Sequence, residues 1–336
     1  MTERPASQQT ARGLPRSAWR YAARRAWHGF MRHRGIDSAA ALSFFAALTF
    51  LPAALAVVSA VAVGNGRDRA VDIVLSIADE VLRPTTVDTL REPITELFSV
   101  ANPAIGLGIG VVLCLWSVSG YATAFGRAVN SVYEVQEGRQ FWRFRGTMLL
   151  LAVLLLVLGA VIVVLLATTP RIASALGLAE PWLTVWNVGR WPTLLLLITL
   201  VIAVLYYATP TVRHERMRWV SFGAVFAIIA WSLATLGFSL NVSVIGAYDR
   251  IYGWLGGLLV LLLWIYLTNL VLVLGAEFDA EVVRLRQLNA GLAAEEVVLL
   301  PMRDTRRNLM LAQQRAADIA EAKAMRERAE RGRRTP

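Results

Sequence analysis

The amino-acid sequence predicts an all-α integral membrane protein with six transmembrane helices and both termini in the cytoplasm. Of its 336 residues, 56% are hydrophobic and only 17% are charged, and the mean hydropathy is +0.52. A soluble domain is usually about 45–50% apolar and about 25% charged. The apolar residues also form long blocks with the charges between them, as a bilayer requires, since a charge at its centre costs about 2.5–3.5 kcal/mol.

Six apolar segments approach or exceed the length of about 20 residues that a helix needs to cross the hydrocarbon core. The predicted spans are residues 39–63, 104–125, 147–167, 191–208, 219–241 and 254–276. The fourth is the shortest, and residues 182–191 either extend it or form a re-entrant approach.

The distribution of basic residues predicts the orientation. Twenty-seven of the 34 Lys and Arg residues fall in the two tails and in the second and fourth connections, and seven fall in the other three. Basic residues are retained on the cytoplasmic side, so we expect both termini inside and a multi-pass location. The formal net charge of +10 is explained by contact with anionic lipid, and we expect no nucleic-acid partner.

Three regions flank or interrupt the spans. The basic tail 1–38 carries an apolar stripe at helical spacing that includes Trp19, Trp27 and Phe30, which predicts an interfacial amphipathic helix; a soluble tail is the alternative. The acidic connection 64–103 predicts two short outer helices, which either gate a cavity or pack as a lid. Residues 282–336 follow the membrane domain 39–281 as a basic, partly disordered tail.

The sequence offers little for enzyme chemistry, and we expect no catalytic, cofactor-binding or metal-binding residues. Cys114 is the sole cysteine, and the three histidines, His28, His33 and His214, lack metal-ligand spacing. Gly106 and Gly110 lie within an apolar segment without the strand and lysine of a phosphate loop, so we interpret them as a close-packing helix surface.

Polar residues inside the spans are the candidates for function. Ser43, Ser117 and Asn269 suggest a polar path, whereas interhelical hydrogen bonds that only hold the bundle together are the alternative. At the cytoplasmic interface, an ion pair between Glu277 and Arg127 would join helix ends. Alternatively, the arginines there form a collar for an anionic lipid headgroup; they are Arg127, Arg143, Arg145, Arg213, Arg216 and Arg218.

An ordered set of short motifs resembles a known family. Residues 41–52 (ALSFFAALTFLP) look like its first-span signature, and Thr49 stands where serine is commoner. Further matches are Gly120 and Tyr121 with Arg127, Asn130 and Tyr133, then Tyr206, Tyr207 and Pro210, then Gly223 and Ala224, then Tyr248, Ile251, Tyr252 and Gly253, and finally Trp264 and 274–277 (LGAE). Over residues 27–281 the chain is similar to the YihY/BrkB family of bacterial inner-membrane proteins.

The resemblance implies a six-helix inner-membrane fold. The family has also been called ribonuclease BN and has been linked to virulence and to export of envelope lipid precursors. Phosphodiester cleavage needs metal-binding carboxylates or an acid–base pair, and the spans contain neither. We therefore predict a non-enzymatic transporter or flippase for an anionic lipid or envelope-precursor amphiphile, with anionic membrane lipids as partners. A scaffold that recruits partners at the inner leaflet is the first alternative, and a membrane-bound hydrolase or ribonuclease is the second; the sequence leaves the oligomeric state open.

Overall fold

The computed structural model describes residues 16–65, 96, 102–168, 182–213, 222–252 and 254–334. Within these ranges the chain is helical apart from its connections and one isolated antiparallel bridge between Val212 and Met302. The helices are α1 Arg16–Arg32, α2 Gly35–Asn65, α3 Pro103–Val132, α4 Phe141–Ala167, α5 Trp182–Ala208, α6 Phe222–Tyr252, α7 Trp254–Asn289 and α8 Arg306–Arg334.

Five described helices are long and apolar enough to cross a membrane. The apolar stretches are Gly35–Gly64, Pro103–Val132, Phe141–Leu166, Trp182–Ala208 and Leu258–Asn289. α6 covers most of the fifth predicted span, although its described apolar stretch is the shorter Phe222–Gly237. The chain is therefore a multi-pass membrane protein, while the count of six spans stays a prediction.

The helices are longer than the sequence predicted because apolar content marks only the part that meets lipid. α3 begins where Asn102 accepts a hydrogen bond from the amide of Ala104 at 3.0 Å, with Pro103 in the first turn, a favourable start for a helix. α5 includes residues 182–191, so this stretch extends the fourth span as one continuous helix.

The bundle is organised around α2, α3 and α7. α2 packs along α3, and α7 packs against α6, α2 and α1. The largest buried apolar cluster includes Phe30, Leu42, Phe125 and Tyr206. It lies at the end of the bundle that contains the α1–α2 turn, the end of α3 and the end of α5, which we call the His33 end.

The predicted amphipathic helix is present as α1, but part of its apolar stripe packs on protein. The ring of Trp19 lies 5.2 Å from that of Phe222 and 6.2 Å from that of Phe278, and Phe30 is buried. Trp27 is 51% exposed on the same helix. The stripe is thus divided between the bundle and the surface, because α1 lies against α7.

The boundary predicted at residue 281 falls inside α7, which continues to Asn289. Beyond it, Ala294 and Val298 are buried, and the Val212–Met302 bridge ties the following residues to the end of α5. Within the predicted tail, α8 is exposed along most of its length. The predicted outer helices of 64–103 lie largely outside the described residues.

Candidate functional site

Three helices contribute to a buried polar contact within the bundle. Asn269 of α7 is 2% exposed; it accepts a hydrogen bond from the Tyr121 hydroxyl of α3 at 2.8 Å and donates to the Ser43 hydroxyl of α2 at 3.3 Å. Asn269 also donates to the carbonyl of Ile265 at 2.9 Å. We call Ser43, Tyr121 and Asn269 the polar seam.

The structure brings together two of the three residues predicted for the polar path. Ser43 and Asn269 are in contact, and Ser117 is half-buried one helical turn before Tyr121 on α3. Tyr121 was not predicted as a path residue. Its position four residues after Ser117 in an apolar span is the signal that could have identified it.

At the His33 end, Glu277 is 2% exposed and lies against His33. His33 Nδ1 is 2.7 Å from Glu277 Oε1, and His33 Nε2 is 3.4 Å from Glu134 Oε1. The hydrogen bond to Glu277 raises the pKa of His33, although burial acts in the opposite direction. The imidazole therefore links the α1–α2 turn to α7 and to the end of α3.

The predicted ion pair between Glu277 and Arg127 is not formed. Arg127 is exposed on α3, whereas the Glu277 carboxylate faces α1 closely enough that a methyl group on Gly29 would lie 2.7 Å from its Oε2. Because α1 packs directly on α7, a residue of the α1–α2 turn becomes the partner. His33 lies in a short turn between two helices, and nothing in the sequence indicated its contact with Glu277.

The same region contains a shallow depression of about 470 Å³, lined by residues of the α1–α2 turn and the end of α3. Arg32 donates to Glu134 at 2.9 Å on its rim. Glu134 and Arg34 have φ values of 54° and 56°, in the left-handed region that non-glycine residues rarely adopt. The surrounding structure therefore keeps the backbone of Arg34 and Glu134 in this unfavourable conformation at the two turns beside the depression.

A second carboxylate of α7 is shared by two arginines. Glu281 lies 3.2 Å from Arg25 of α1 and 3.2 Å from Arg284, which is only 3% exposed. Arg284 also donates to the carbonyl of Ala294 at 2.7 Å, and Arg25 to that of Glu295 at 2.8 Å. This network fixes α1 and the segment after α7 to the same helix.

A third network joins the α3–α4 connection to the end of α5. Arg139 donates to Glu137 at 2.7 Å and to the carbonyl of Thr209 at 2.7 Å. Asn130 donates to Glu137 at 3.1 Å and accepts from the amide of Thr211 at 2.9 Å. Burial acts to raise the pKa of Glu137, but the hydrogen bonds and charge of Arg139 outweigh it and the pKa lies below its ordinary value.

The predicted arginine collar is only partly described. Arg127, Arg143 and Arg213 are exposed, and the Arg145 guanidinium lies 5.0 Å from the centre of the Trp116 ring. Arg216 and Arg218 lie outside the described residues. Among the residues that are described, no group of three or more His, Cys, Asp or Glu side chains could hold a metal ion.

Comparisons with known proteins agree with the membrane fold. Residues 26–297 match the family described as Virulence factor BrkB. The chain is 30% identical over 253 residues to a Bacillus subtilis protein named ribonuclease-like protein YfkH, covering 74% of this chain and 90% of that protein.

Two further relatives are named UPF0761 membrane proteins. The one from Idiomarina loihiensis is 27% identical over 199 residues, covering 58% of this chain and 67% of that protein. The one from Pseudoalteromonas translucida is 29% identical over 204 residues, covering 59% and 64%. No solved structure matches the chain.

Proposed function

The chain belongs to the virulence factor BrkB family, and we propose that it binds an anionic lipid or envelope-precursor amphiphile and moves it across the bacterial inner membrane without chemical change. In this proposal α6 also crosses the membrane as the fifth of six spans, and both termini are cytoplasmic. The His33 end then faces the cytoplasm, where most of the basic residues of the sequence lie.

The polar seam is the observation that carries the proposal. A buried Asn inside apolar helices is costly unless its donors and acceptor are satisfied, and such groups in membrane spans commonly line substrate paths. About two turns of α7, or about 12 Å, separate Asn269 from Glu277 at the His33 end. In this proposal, a headgroup that moves inward from the His33 end therefore meets the polar groups of the seam next.

The exposed arginines supply the first contact in this scheme. Guanidinium groups form charge-assisted and often bidentate hydrogen bonds with phosphate oxygens. Three arginines are exposed at this end of the bundle: Arg127 near the end of α3, Arg143 in the first turn of α4 and Arg213 after the end of α5. In this proposal a lipid headgroup lies beside them. The headgroup then exchanges these contacts for the hydroxyl and amide groups of the seam while its acyl chains stay in the bilayer.

A vesicle assay tests the proposal directly. Purified protein is placed in vesicles that contain phosphatidylglycerol with a fluorescent acyl chain, and a membrane-impermeant quencher reports how much label reaches the outer leaflet. The assay is run both with and without an imposed ion gradient. In both arms we expect the wild-type protein to move labelled lipid from the inner leaflet to the outer leaflet. Asn269→Leu should slow this movement, because it removes the amide at the centre of the seam.

Ser232→Ala is the matched control, since Ser232 is exposed on α6 and donates to the Ile228 carbonyl of its own helix at 2.8 Å. It should behave as wild type. Label movement no faster than in protein-free vesicles, or equal rates for correctly folded Asn269→Leu and wild type, would reject transport through the seam.

The exposed apolar residues of α8 support a second candidate function, the recruitment of partner proteins at the inner leaflet. This helix of 29 residues exposes Leu309, Met310, Ile319 and Met325. A chain truncated after Leu311 should fold as wild type under this interpretation but lose copurifying partner proteins. If it keeps every partner that the full chain retains, α8 is not the recruiting element.

A further inference from the structure

Two backbone segments, one after α5 and one before α8, place Arg213 and Arg303 near each other at the His33 end. The Arg213 amide donates to the Pro301 carbonyl at 2.7 Å, and the Arg303 amide donates to the Thr211 carbonyl at 2.8 Å. These bonds flank the Val212–Met302 bridge. Arg213 and Arg303 are both exposed, and Arg213 follows the last residue of α5, Ala208, by five positions.

Arg139 lies close to this pair and is only 6% exposed. Its guanidinium binds Glu137 and the Thr209 carbonyl, which precedes the bridge by three residues. Arg303 donates to the Val212 carbonyl at 3.3 Å and also to that of Tyr207. The described part of the chain therefore gathers three guanidinium groups here.

The positive charge is not balanced within this set. Burial lowers the pKa of Arg303, the charges of Arg139 and Arg213 lower it further, and Glu137 acts against them. The Asp304 carboxylate is turned to the amide of Arg306, to which it is bonded at 3.0 Å. Among the described neighbours, three guanidinium groups thus lie near two carboxylates, of which Glu137 pairs with Arg139 and Asp304 is bonded to a backbone amide.

Two enclosed polar atoms of the same network lack a hydrogen-bond partner. They are Arg139 Nη1 and the hydroxyl oxygen of Thr211, and Thr211 is fully buried. Buried polar atoms nearly always have a partner, so an unpaired donor and an unpaired hydroxyl, in residues that Asn130 and Glu137 link into one network, indicate a missing acceptor. The bonds to Glu137 and Thr209 explain how Arg139 is held, but they leave these two atoms unused.

We propose that Arg139, Arg213, Arg303 and the Thr211 hydroxyl form a binding site for the phosphate group of an anionic amphiphile. A phosphate accepts hydrogen bonds in several directions and matches the donor geometry of guanidinium groups. Thr211 and Arg213 follow the apolar span of α5, so in the proposed topology the site lies near the lipid headgroups. This inference rests on the proposed function and sharpens it, because the sequence did not single out Arg139, Arg303 or Thr211.

The test measures binding by the full-length protein in a neutral detergent. The probes are short-chain phosphatidylglycerol, short-chain phosphatidylcholine and inorganic phosphate, each titrated while thermal unfolding and a dissociation constant are recorded. We expect wild type to bind the phosphatidylglycerol most tightly. Arg303→Gln should weaken that binding about tenfold, equivalent to about 1.4 kcal/mol, whereas Arg315→Gln on exposed α8 should leave it unchanged.

Thr211→Val separates binding from folding, because valine fills the same volume and the Thr211 backbone keeps its bonds. Without lipid, this variant should unfold at the same temperature as wild type or higher, since an unpaired buried hydroxyl is removed. With phosphatidylglycerol, its affinity should fall severalfold. Equal affinity of wild type and Thr211→Val, together with unchanged binding by Arg303→Gln, would overturn the site.

The probes also separate this inference from the proposed function. If wild type binds no anionic lipid, the proposed function and the site fail together. If wild type binds phosphatidylglycerol with no dependence on Arg303 or Thr211, the site alone fails. Inorganic phosphate that binds as tightly as the lipid would overturn the assignment to an amphiphile.

Discussion

His33 and Glu277 are joined by a 2.7 Å contact across most of the length of the chain. The imidazole belongs to the turn between α1 and α2, and the carboxylate belongs to α7, where it is shielded from solvent. Because Gly29 of α1 lies directly against the Glu277 side chain, the contact depends on close approach of α1 to α7.

The His33–Glu277 pair should make stability depend on pH. The pKa of His33 is raised above 6.5 in the folded protein, so its contribution is fully present below pH 6.5 and is lost as pH rises through the folded pKa. We expect the unfolding temperature of wild type to fall between pH 6.5 and 8.5. His33→Gln should show a smaller fall when unfolding is followed in the same buffers.

His28→Gln is the matched control, since His28 is exposed on the same helix end. It should keep the wild-type pH dependence. An identical pH dependence in His33→Gln and wild type would show that another group is responsible.

The polar seam should show a measurable coupling energy. Tyr121→Phe removes the hydroxyl that donates to Asn269, and Asn269→Leu removes the acceptor. Hydrogen bonds between membrane helices are worth about 0.6 kcal/mol on average and about 1.7 kcal/mol at most. We expect a coupling within that range from a double-mutant cycle on unfolding in mixed micelles, whereas strictly additive effects would mean that the seam is not a unit.

Two glycines of α3 should respond oppositely to the same substitution. A methyl group on Gly110 would lie 2.7 Å from the backbone nitrogen of Ala56 on α2, whereas one on Gly108 meets nothing within 4 Å. Gly110→Ala should therefore destabilise the protein, and Gly108→Ala should be neutral or stabilise it by up to about 1 kcal/mol through helix propensity. Thermal unfolding of both variants checks this, and equal behaviour would contradict the close contact between α2 and α3.

Buried and exposed ion pairs should differ strongly in their contribution to the free energy of unfolding. Glu281→Gln leaves buried Arg284 without its counter-charge and should cost about 3 kcal/mol. Asp37→Asn removes the partner of Arg34 in an exposed pair and should cost less than about 1 kcal/mol. The free energies of unfolding of the two variants can be compared in one detergent, and a similar loss in both would mean that Glu281 contributes no more than a surface residue.

Much of the fold follows from local pattern. Apolar blocks identified the five described helices that are long and apolar enough to cross a membrane, and the spacing of Trp19 and Phe30 identified α1. The glycine pair Gly106 and Gly110 was predicted to allow close packing, and both residues are buried, with Gly110 against α2. These features depend on composition and helical periodicity, which a single segment carries by itself.

The helix ends were less predictable, because polar residues that continue a helix beyond lipid look like residues of a loop. α7 runs through Glu281 and Arg284 to Asn289, although these charges mark the end of its apolar stretch in the sequence. Their burial depends on Arg25, on Ala294 and on each other. No part of α7 alone contains that information.

By itself, the sequence determined the membrane class, the helical segments and the presence of polar residues within them, because hydrophobicity and helical spacing act locally. Only the tertiary structure decided which polar groups meet: Glu277 with His33, Asn269 with Ser43 and Tyr121, and Arg139 near Arg303. Such pairs join residues far apart in the chain. Their formation depends on how the helices approach one another, a geometry set by packing across the whole bundle.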